Sequence, residues 1–495
     1  EAYRKTVLKE MEGQLERPHQ LFGWAIMLKA ELLNDEGRLM ESVPIYKEAL
    51  AEYAPLTSTK VYQKKGAITN ALGIIYARQS YYDVAADYFS QSDHIFSHYV
   101  KDPVDIWRVK NNIGNLYYLQ SLYGKAAKFY QESIDLKKEY LGEYHPSFIK
   151  GYNNISNMYS EMGKMNLALE FEEYAYRISE NYSQESEYEK IFRFTSMGVI
   201  LKRLGRYEDA KVELQLAEAV FKSTSEKYPE LRADLDFQWG GFYHETNETE
   251  KAIAYFNRVI KLYRDMGQET NQLVPKAILS IANVYADLGQ TQNASKEYDN
   301  AISLYRTIYG NQYSDLTMAY INKASRLFKP LKQYDQSIEA LNNAIDAIPG
   351  YNPKDSSNFE KVQDKMLLLK GFSEKALIHK KQYDGTQEID YAQRSLIYRR
   401  LCDALVVDLQ ENGTYEDHLK MLNRLDRVYD NAVALEQTLY EQTSNLKFLD
   451  EAYYFAERGK NVLLRQQLLE SEQKQFDLLP KELVQLEERL KNNIA

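Results

Sequence analysis

The chain has 495 residues, with 72 acidic against 62 basic side chains and a net charge of -10. That balance argues against a nucleic-acid backbone as the main partner, because phosphate binding needs clustered positive charge. A single cysteine, Cys402, excludes an intrachain disulfide and any Cys-x-x-Cys metal site, and no stretch approaches the roughly 20 apolar residues of a membrane span.

In chain order, one pattern recurs. Leu72-Gly73-Ile74-Ile75-Tyr76 returns as Ile113-Gly114-Asn115-Leu116-Tyr117 and as Ile155-Ser156-Asn157-Met158-Tyr159. Weaker copies follow at Met197-Gly198 to Leu201, Trp239-Gly240 to Tyr243 and Ile281-Ala282 to Tyr285. The small residues fall at 73, 114, 156, 198, 240 and 282, in steps of 41 and then 42. A period of this size predicts stacked helical hairpins. Nine residues after the closing tyrosine stand Ala85, Ala126, Ala168, Ala252 and Ala294; four further on stand Phe89, Tyr130, Phe256 and Tyr298. Each unit therefore reads as two antiparallel helices whose small residues let the backbones approach, with aromatics filling the wedge between successive hairpins. Gly163, Gly205 and Gly289 mark the turn within a unit.

An upstream copy fits Ala30 to Leu33, Gly37 and Val43 to Tyr46, and a downstream one fits Ala324 to Phe328, Ser337 and Leu341. Eight units then span about residues 15 to 350. In two of them Leu201 and Phe328 replace the tyrosine, and Pro330 is expected to shorten the helix carrying Phe328. After Pro349-Gly350-Tyr351-Asn352-Pro353 the spacing fails. Lys361 to Lys381 and Ile389 to Gln410 predict an irregular ninth hairpin, 351–411. Asn412-Gly413 predicts a turn, followed by helices over Asp417 to Tyr440, Leu446 to Gln473 and Glu482 to Asn493, the last begun by Leu479-Pro480. The chain ends inside that helix without a stop signal, so the segment 412–495 reads as truncated. Glu1 opens the chain without a signal-peptide core, and the expected compartment is the cytoplasm.

This pattern resembles the tetratricopeptide repeat (TPR), and its 42-residue period is similar to the longer repeats of kinesin light chain and bacterial relatives. Lys138-Glu139-Tyr140-Leu141-Gly142-Glu143-Tyr144-His145-Pro146 looks like the inter-repeat turn of that subfamily. The resemblance implies an all-α, right-handed TPR superhelix of about eight to nine hairpins, array 1–350, with long C-terminal helices. A second resemblance rests on Tyr454-Phe455-Ala456-Glu457-Arg458-Gly459-Lys460-Asn461-Val462-Leu463-Leu464 and Leu479-Pro480. It is similar to the helical connector that joins a TPR array to a caspase-like peptidase in TPR-CHAT proteins. This implies a regulatory arm with a cysteine peptidase domain in cis.

Catalytic chemistry is not expected within these residues. A caspase-like site needs a thiolate, a histidine and backbone oxyanion donors on loops at strand ends. Cys402 lies instead in a helical pattern beside apolar neighbours and reads as a packing residue. His94 and His98, four apart, read as a surface pair rather than metal ligands, and no phosphate-cradling glycine loop is present, so no cofactor or metal is expected.

What remains is the groove. By the family's geometry, Asn70, Arg108, Asn111, Asn115, Lys150, Asn153, Asn157, Lys202, Arg203, Asn283 and Asn322 would project from the first helices onto the concave face, with Tyr118 and Tyr152 as candidate apolar anchors. An asparagine row can pair with both groups of an extended peptide backbone; the same asparagines can equally tie neighbouring helices together. The functional expectation is a non-catalytic protein- or peptide-binding scaffold, with no nucleic acid or membrane partner. Alternatives are a free-standing adaptor and a bacterial peptide-sensing regulator.

Overall fold

A computed structural model of the chain describes residues 18–35, 37–142, 145–181, 186–223, 228–355, 358–411 and 426–472. Twenty α-helices and no strand occur among them. They form antiparallel hairpins in chain order: α1 (Gln20–Asp35) with α2 (Leu39–Tyr53), α3 (Thr59–Arg78) with α4 (Tyr82–Ile95), α5 (Pro103–Leu119) with α6 (Tyr123–Leu141), and α7 (Phe148–Glu161) with α8 (Met165–Asn181). The series continues with α9 (Glu187–Arg203) and α10 (Tyr207–Ser223), α11 (Pro229–Glu245) and α12 (Thr249–Asp265), α13 (Leu273–Asp287) and α14 (Thr291–Tyr309), and α15 (Ser314–Asn322) and α16 (Tyr334–Asp346). Then come α17 (Lys365–Thr386) with α18 (Ile389–Glu411), and α19 (Asp426–Thr443) with α20 (Leu446–Glu472). Each hairpin packs mainly on its neighbours, so the molecule is a solenoid with a core divided among successive units.

The repeated small residue has a direct structural cause. A Cβ on Gly73 would stand 2.7 Å from the Phe89 ring, one on Gly114 2.5 Å from Tyr130, and one on Gly240 2.6 Å from Phe256. The large residue of the second helix thus fills the space left by the missing side chain in its own hairpin. The wedge expected between successive hairpins lies inside each one, because the helices of a hairpin approach more closely than the hairpins do. Tyr130, Tyr298, Phe89 and Phe256 are fully buried there, each contributing about 2 kcal/mol of apolar burial.

The turn within each unit repeats with equal regularity. Gly163, Gly205 and Gly289 have φ of 80°, 75° and 70°, as the sequence pattern requires. Ser80, Ser121, Asn247 and Lys332 adopt the same left-handed conformation without glycine. In every case the next N–H reaches back to the carbonyl at the motif's closing position: Tyr76, Tyr117, Tyr159, Leu201, Tyr243, Tyr285 and Phe328, at 2.8–3.0 Å. This six-residue closure ends the first helix and starts the second.

α15 is short, nine residues, and passes into a wide turn, Lys323–Phe328, with Lys329 N–H bonded to Ala324 carbonyl at 2.9 Å. This unit has one more residue before its turn than the others, and the π turn absorbs it. The helix expected from Lys361 begins at Lys365, where the Asp364 carboxylate caps the Leu367 N–H at 2.9 Å. The Asn412-Gly413 turn, the start expected at Asp417, Leu479-Pro480 and the final helix 482–493 lie outside the described residues.

The last hairpin docks through a buried carboxylate. Asp403 on α18, 4% exposed, accepts from the hydroxyls of Tyr429 (2.8 Å) and Tyr454 (2.5 Å) and from Arg458 Nε (2.8 Å). Phe455 is fully buried, and a Cβ on Gly459 would stand 3.2 Å from Tyr429 Cβ. The 454–459 stretch therefore fixes α20 against α18 and α19.

Candidate functional site

The asparagine row divides when its partners are followed. Asn112 donates to Asn70 at 2.9 Å and Asn154 to Asn111 at 3.0 Å, each bond crossing one repeat from helix to helix. Asn115 and Asn283 accept from the hydroxyls of Tyr130 (2.8 Å) and Tyr298 (2.7 Å) inside their own hairpins. Asn153 is fully buried, its amide facing Glu172 Oε2 at 3.1 Å and the Ile149 carbonyl at 3.0 Å, so it is a core residue rather than part of an exposed row. Asn157 and Asn322 are half-buried on α7 and α15. The family offsets selected the first helices, but many of these amides are already engaged in joining them.

The cations behave similarly along the helix ends. Arg203 donates to Ser160 Oγ at 2.6 Å and Glu161 at 2.8 Å, Lys202 pairs with Glu245 at 3.1 Å, and His244 faces Asp287 at 3.0 Å. Arg326 continues the series onto Asp287. These bonds form a polar seam between successive first helices. Tyr152 is also withdrawn from the groove: it is 2% exposed and packs among Phe148, Phe171 and Tyr174. Tyr118 is half-buried against Tyr123, and burial raises its phenol.

Arg108, Asn111 and Lys150 do converge. They line a cavity of about 500 Å³ at the N-terminal ends of α5, α7 and α9, together with Trp107, Ile149, Tyr188, Phe192 and Lys137. Arg108 and Lys150 are exposed at its rim, with Asp105 3.4 Å from Arg108. Lys137 comes from α6 and is 7% exposed; its ammonium donates to the Ser147 carbonyl at 3.1 Å. Burial, followed by repulsion from Lys150, pushes its amine down to about 8. Glu189, the acid on this wall, is held in a capping box with Ser186. An apolar floor under three basic groups suits a carboxylate or backbone carbonyl carried beside an apolar side chain.

Sequence reasoning missed Lys137, Trp107, Tyr188 and Phe192. A signal for Lys137 was present: it extends the buried stripe Tyr130, Ser133, Ile134 of α6, where a lysine is out of place without a partner. Trp107, Tyr188 and Phe192 carry no such mark, since their convergence depends on how three hairpins stack.

The cysteine and the paired histidines singled out in the sequence take structural places. Cys402 is fully buried, with its sulfur 4.0 Å from the Leu369 carbonyl, and burial pushes its thiol up to about 12. The His94 and His98 rings lie 4.3 Å apart on the surface, with His98 Nδ1 at the His94 carbonyl. Among the described residues no group of three or more His, Cys, Asp or Glu could hold a metal ion, and no helix is long and apolar enough to cross a membrane.

Comparison with known families agrees with the repeat geometry. A tetratricopeptide repeat family model matches residues 106–181, and another of the same description matches 238–266 and 275–308. These segments carry tetratricopeptide repeats. Protein KINESIN LIGHT CHAIN-RELATED 2 of Arabidopsis thaliana is 23% identical over 150 residues, 30% of this chain and 22% of that protein. Protein KINESIN LIGHT CHAIN-RELATED 3 of the same plant is 23% identical over 215 residues, 43% and 33% respectively. The chain spans about a fifth to a third of the length of these curated relatives. Among solved structures, a Rap protein complexed with competence and sporulation factor has a TM-score of 0.46 at 13% identity, covering 82% of this chain and 99% of that one. The apo form of the quorum sensor NprR from B. thuringiensis has a TM-score of 0.42 at 17% identity, covering 75% and 97%.

Proposed function

We propose that this chain is a non-catalytic scaffold that binds a protein or peptide segment, with the cavity between α5, α7 and α9 as its principal recognition point. The observation that carries this reading is the convergence of Arg108, Lys137 and Lys150 over Trp107, Ile149 and Phe192. A single hydrogen bond nets about 1 kcal/mol and association costs about 4 kcal/mol or more. The asparagines alone would therefore bind weakly; a cationic pocket with an apolar floor supplies the missing anchor. Asn70 and Asn111 then contribute mainly by holding the first helices in register, and Asn115 and Asn283 by joining the two helices of their own hairpins.

The test is a peptide array probed with wild type and with the double variant Arg108→Glu, Lys150→Glu. Both side chains are exposed, so folding is preserved. Peptides with an acidic residue beside an apolar one should lose at least about tenfold in affinity, as expected for reversing charge-assisted bonds. Equal binding by both proteins refutes the pocket.

The finer reading is a regulatory arm for a caspase-like peptidase in cis. It is supported by the resemblance of the 454–464 sequence to a TPR-CHAT connector, and by the way Tyr454 and Arg458 lock α20 to the preceding hairpins. A partner that shifts those hairpins would move α20 with them. Sequencing the parent gene past codon 495 tests it: a stop there favours the free-standing adaptor instead, a reading supported by the match to kinesin-light-chain-related proteins over 43% of the chain. A following peptidase domain supports the arm.

A further inference from the structure

The turns within the first three hairpins differ from the rest in what covers them. In five later hairpins the left-handed residue, Gly163, Gly205, Asn247, Gly289 or Lys332, is exposed. Its equivalents Gly37 and Ser121 are half-buried, and Ser80 is 3% exposed. Tyr82, two residues after Ser80, is 4% exposed, whereas its counterpart Tyr207 is half-buried.

The covering groups come from far along the chain. A Cβ on Gly37 would stand 3.8 Å from Thr270 Oγ1. Tyr82 is close to Ser314, and the adjoining Tyr313 stacks on Tyr309 at 4.0 Å. One hairpin further on, Gln120, Leu122 and Lys125 face Lys361, Gln363 and Met366 across a cleft of about 290 Å³. Gly37 with Thr270, Tyr82 with Ser314 and the Gln120 turn with 361–366 join residues roughly five and a half repeats apart, in the same order along both stretches, and Tyr82 also lines the cleft on the 360–366 segment. One superhelical turn has come round onto the next.

We propose that the turns of the first three hairpins form a latch, seated in order on Thr270 and on the 309–315 and 360–366 segments, that holds the superhelix at a closed pitch. Hairpins joined only to their neighbours leave a solenoid free to stretch like a spring. A contact between successive turns removes that freedom, so widening the array requires the latch to open. The 360–366 segment is then the seat that receives the Gln120–Lys125 turn rather than a lapse in the repeat. This inference concerns the array's shape and stands independently of the ligand pocket.

Wedges inserted from either side test it. Gln363→Trp acts on the seat and Leu122→Trp on the turn; Gln290→Trp places the same side chain at the matching position of an exposed turn. Small-angle scattering should give a larger radius of gyration for both latch variants and no change for Gln290→Trp. Amide exchange at residues 79–82 should speed up at least about tenfold in Gln363→Trp, although the substitution is remote in sequence. An unchanged radius in both latch variants, or exchange at 79–82 matching wild type in Gln363→Trp, overturns the proposal.

Discussion

The repeat array and the C-terminal hairpins solve the same packing problem with opposite chemistry. Between residues 59 and 346, neighbouring first helices are joined by exposed or half-exposed polar pairs such as Arg203 with Glu161, both 39% exposed. Pairs of this kind contribute about 0–1 kcal/mol each, and the stability sits in the ring-on-glycine contacts beneath them. From 389 onward the main joint is buried: Asp403 gathers two hydroxyls and a guanidinium, while Glu436, fully buried without a hydrogen-bond partner among the described residues on either carboxylate oxygen, is raised to about 7 by burial. The array spreads its polar joints along many positions, and the last hairpins concentrate theirs at Asp403.

That contrast sets the order of expected effects. The largest follows Asp403→Ala, which strands Arg458 and the hydroxyls of Tyr429 and Tyr454, at a cost of about 3–5 kcal/mol. Because a solenoid unit contacts mainly its neighbours, amide exchange should rise over 446–460 and remain unchanged over 59–346. A uniform rise across the chain would break the distinction between the two regions.

Next comes Gly240→Val in the array. Its Cβ would enter the Phe256 ring at 2.6 Å, and overpacking of this kind costs about 1–3 kcal/mol. The loss, read from urea unfolding, should be local to α11 and α12. Gly205→Ala, where a Cβ meets nothing within 4 Å but φ is 75°, should cost only about 1 kcal/mol. Equal costs at the two sites would remove the ring-on-glycine contact from the account.

The last test is of an array position that behaves like the C-terminal block. Glu172 stands where other repeats place Phe89, Tyr130 or Phe256; it is fully buried, and burial raises its carboxyl to about 8, with Ser156 and Arg193 opposing. The folded state therefore holds a proton that the unfolded chain releases near pH 4.5. Its contribution is complete below that pH and is lost as pH rises through about 8. Between about pH 5 and 8 wild type should lose stability relative to Glu172→Gln by up to about 1.4 kcal/mol per pH unit, measured as denaturation midpoints. Parallel pH profiles would show the carboxyl ionised in the fold.

The sequence was legible where contacts are short in sequence and repeated. Gly73 with Phe89 and Gly240 with Phe256 recur at one fixed offset, so the spacing alone exposes the pairing. The pocket was legible in part: Arg108, Asn111 and Lys150 follow from offsets on the first helices, while Lys137 arrives from a second helix that those offsets do not describe. The asparagines carried an ambiguous signal. An amide suited to a peptide backbone is equally suited to the amide one repeat away, as Asn112 on Asn70 and Asn154 on Asn111 demonstrate.

By itself the sequence determined the hairpin, its turn and its period, because each is decided by residues within one or two units. Tertiary structure alone decided that Tyr82 meets Ser314, that Tyr454 and Arg458 share Asp403, and that three hairpins close a cavity around Lys137. Those contacts depend on the small rotation between hairpins accumulated over many repeats, and no single unit's residues record that sum.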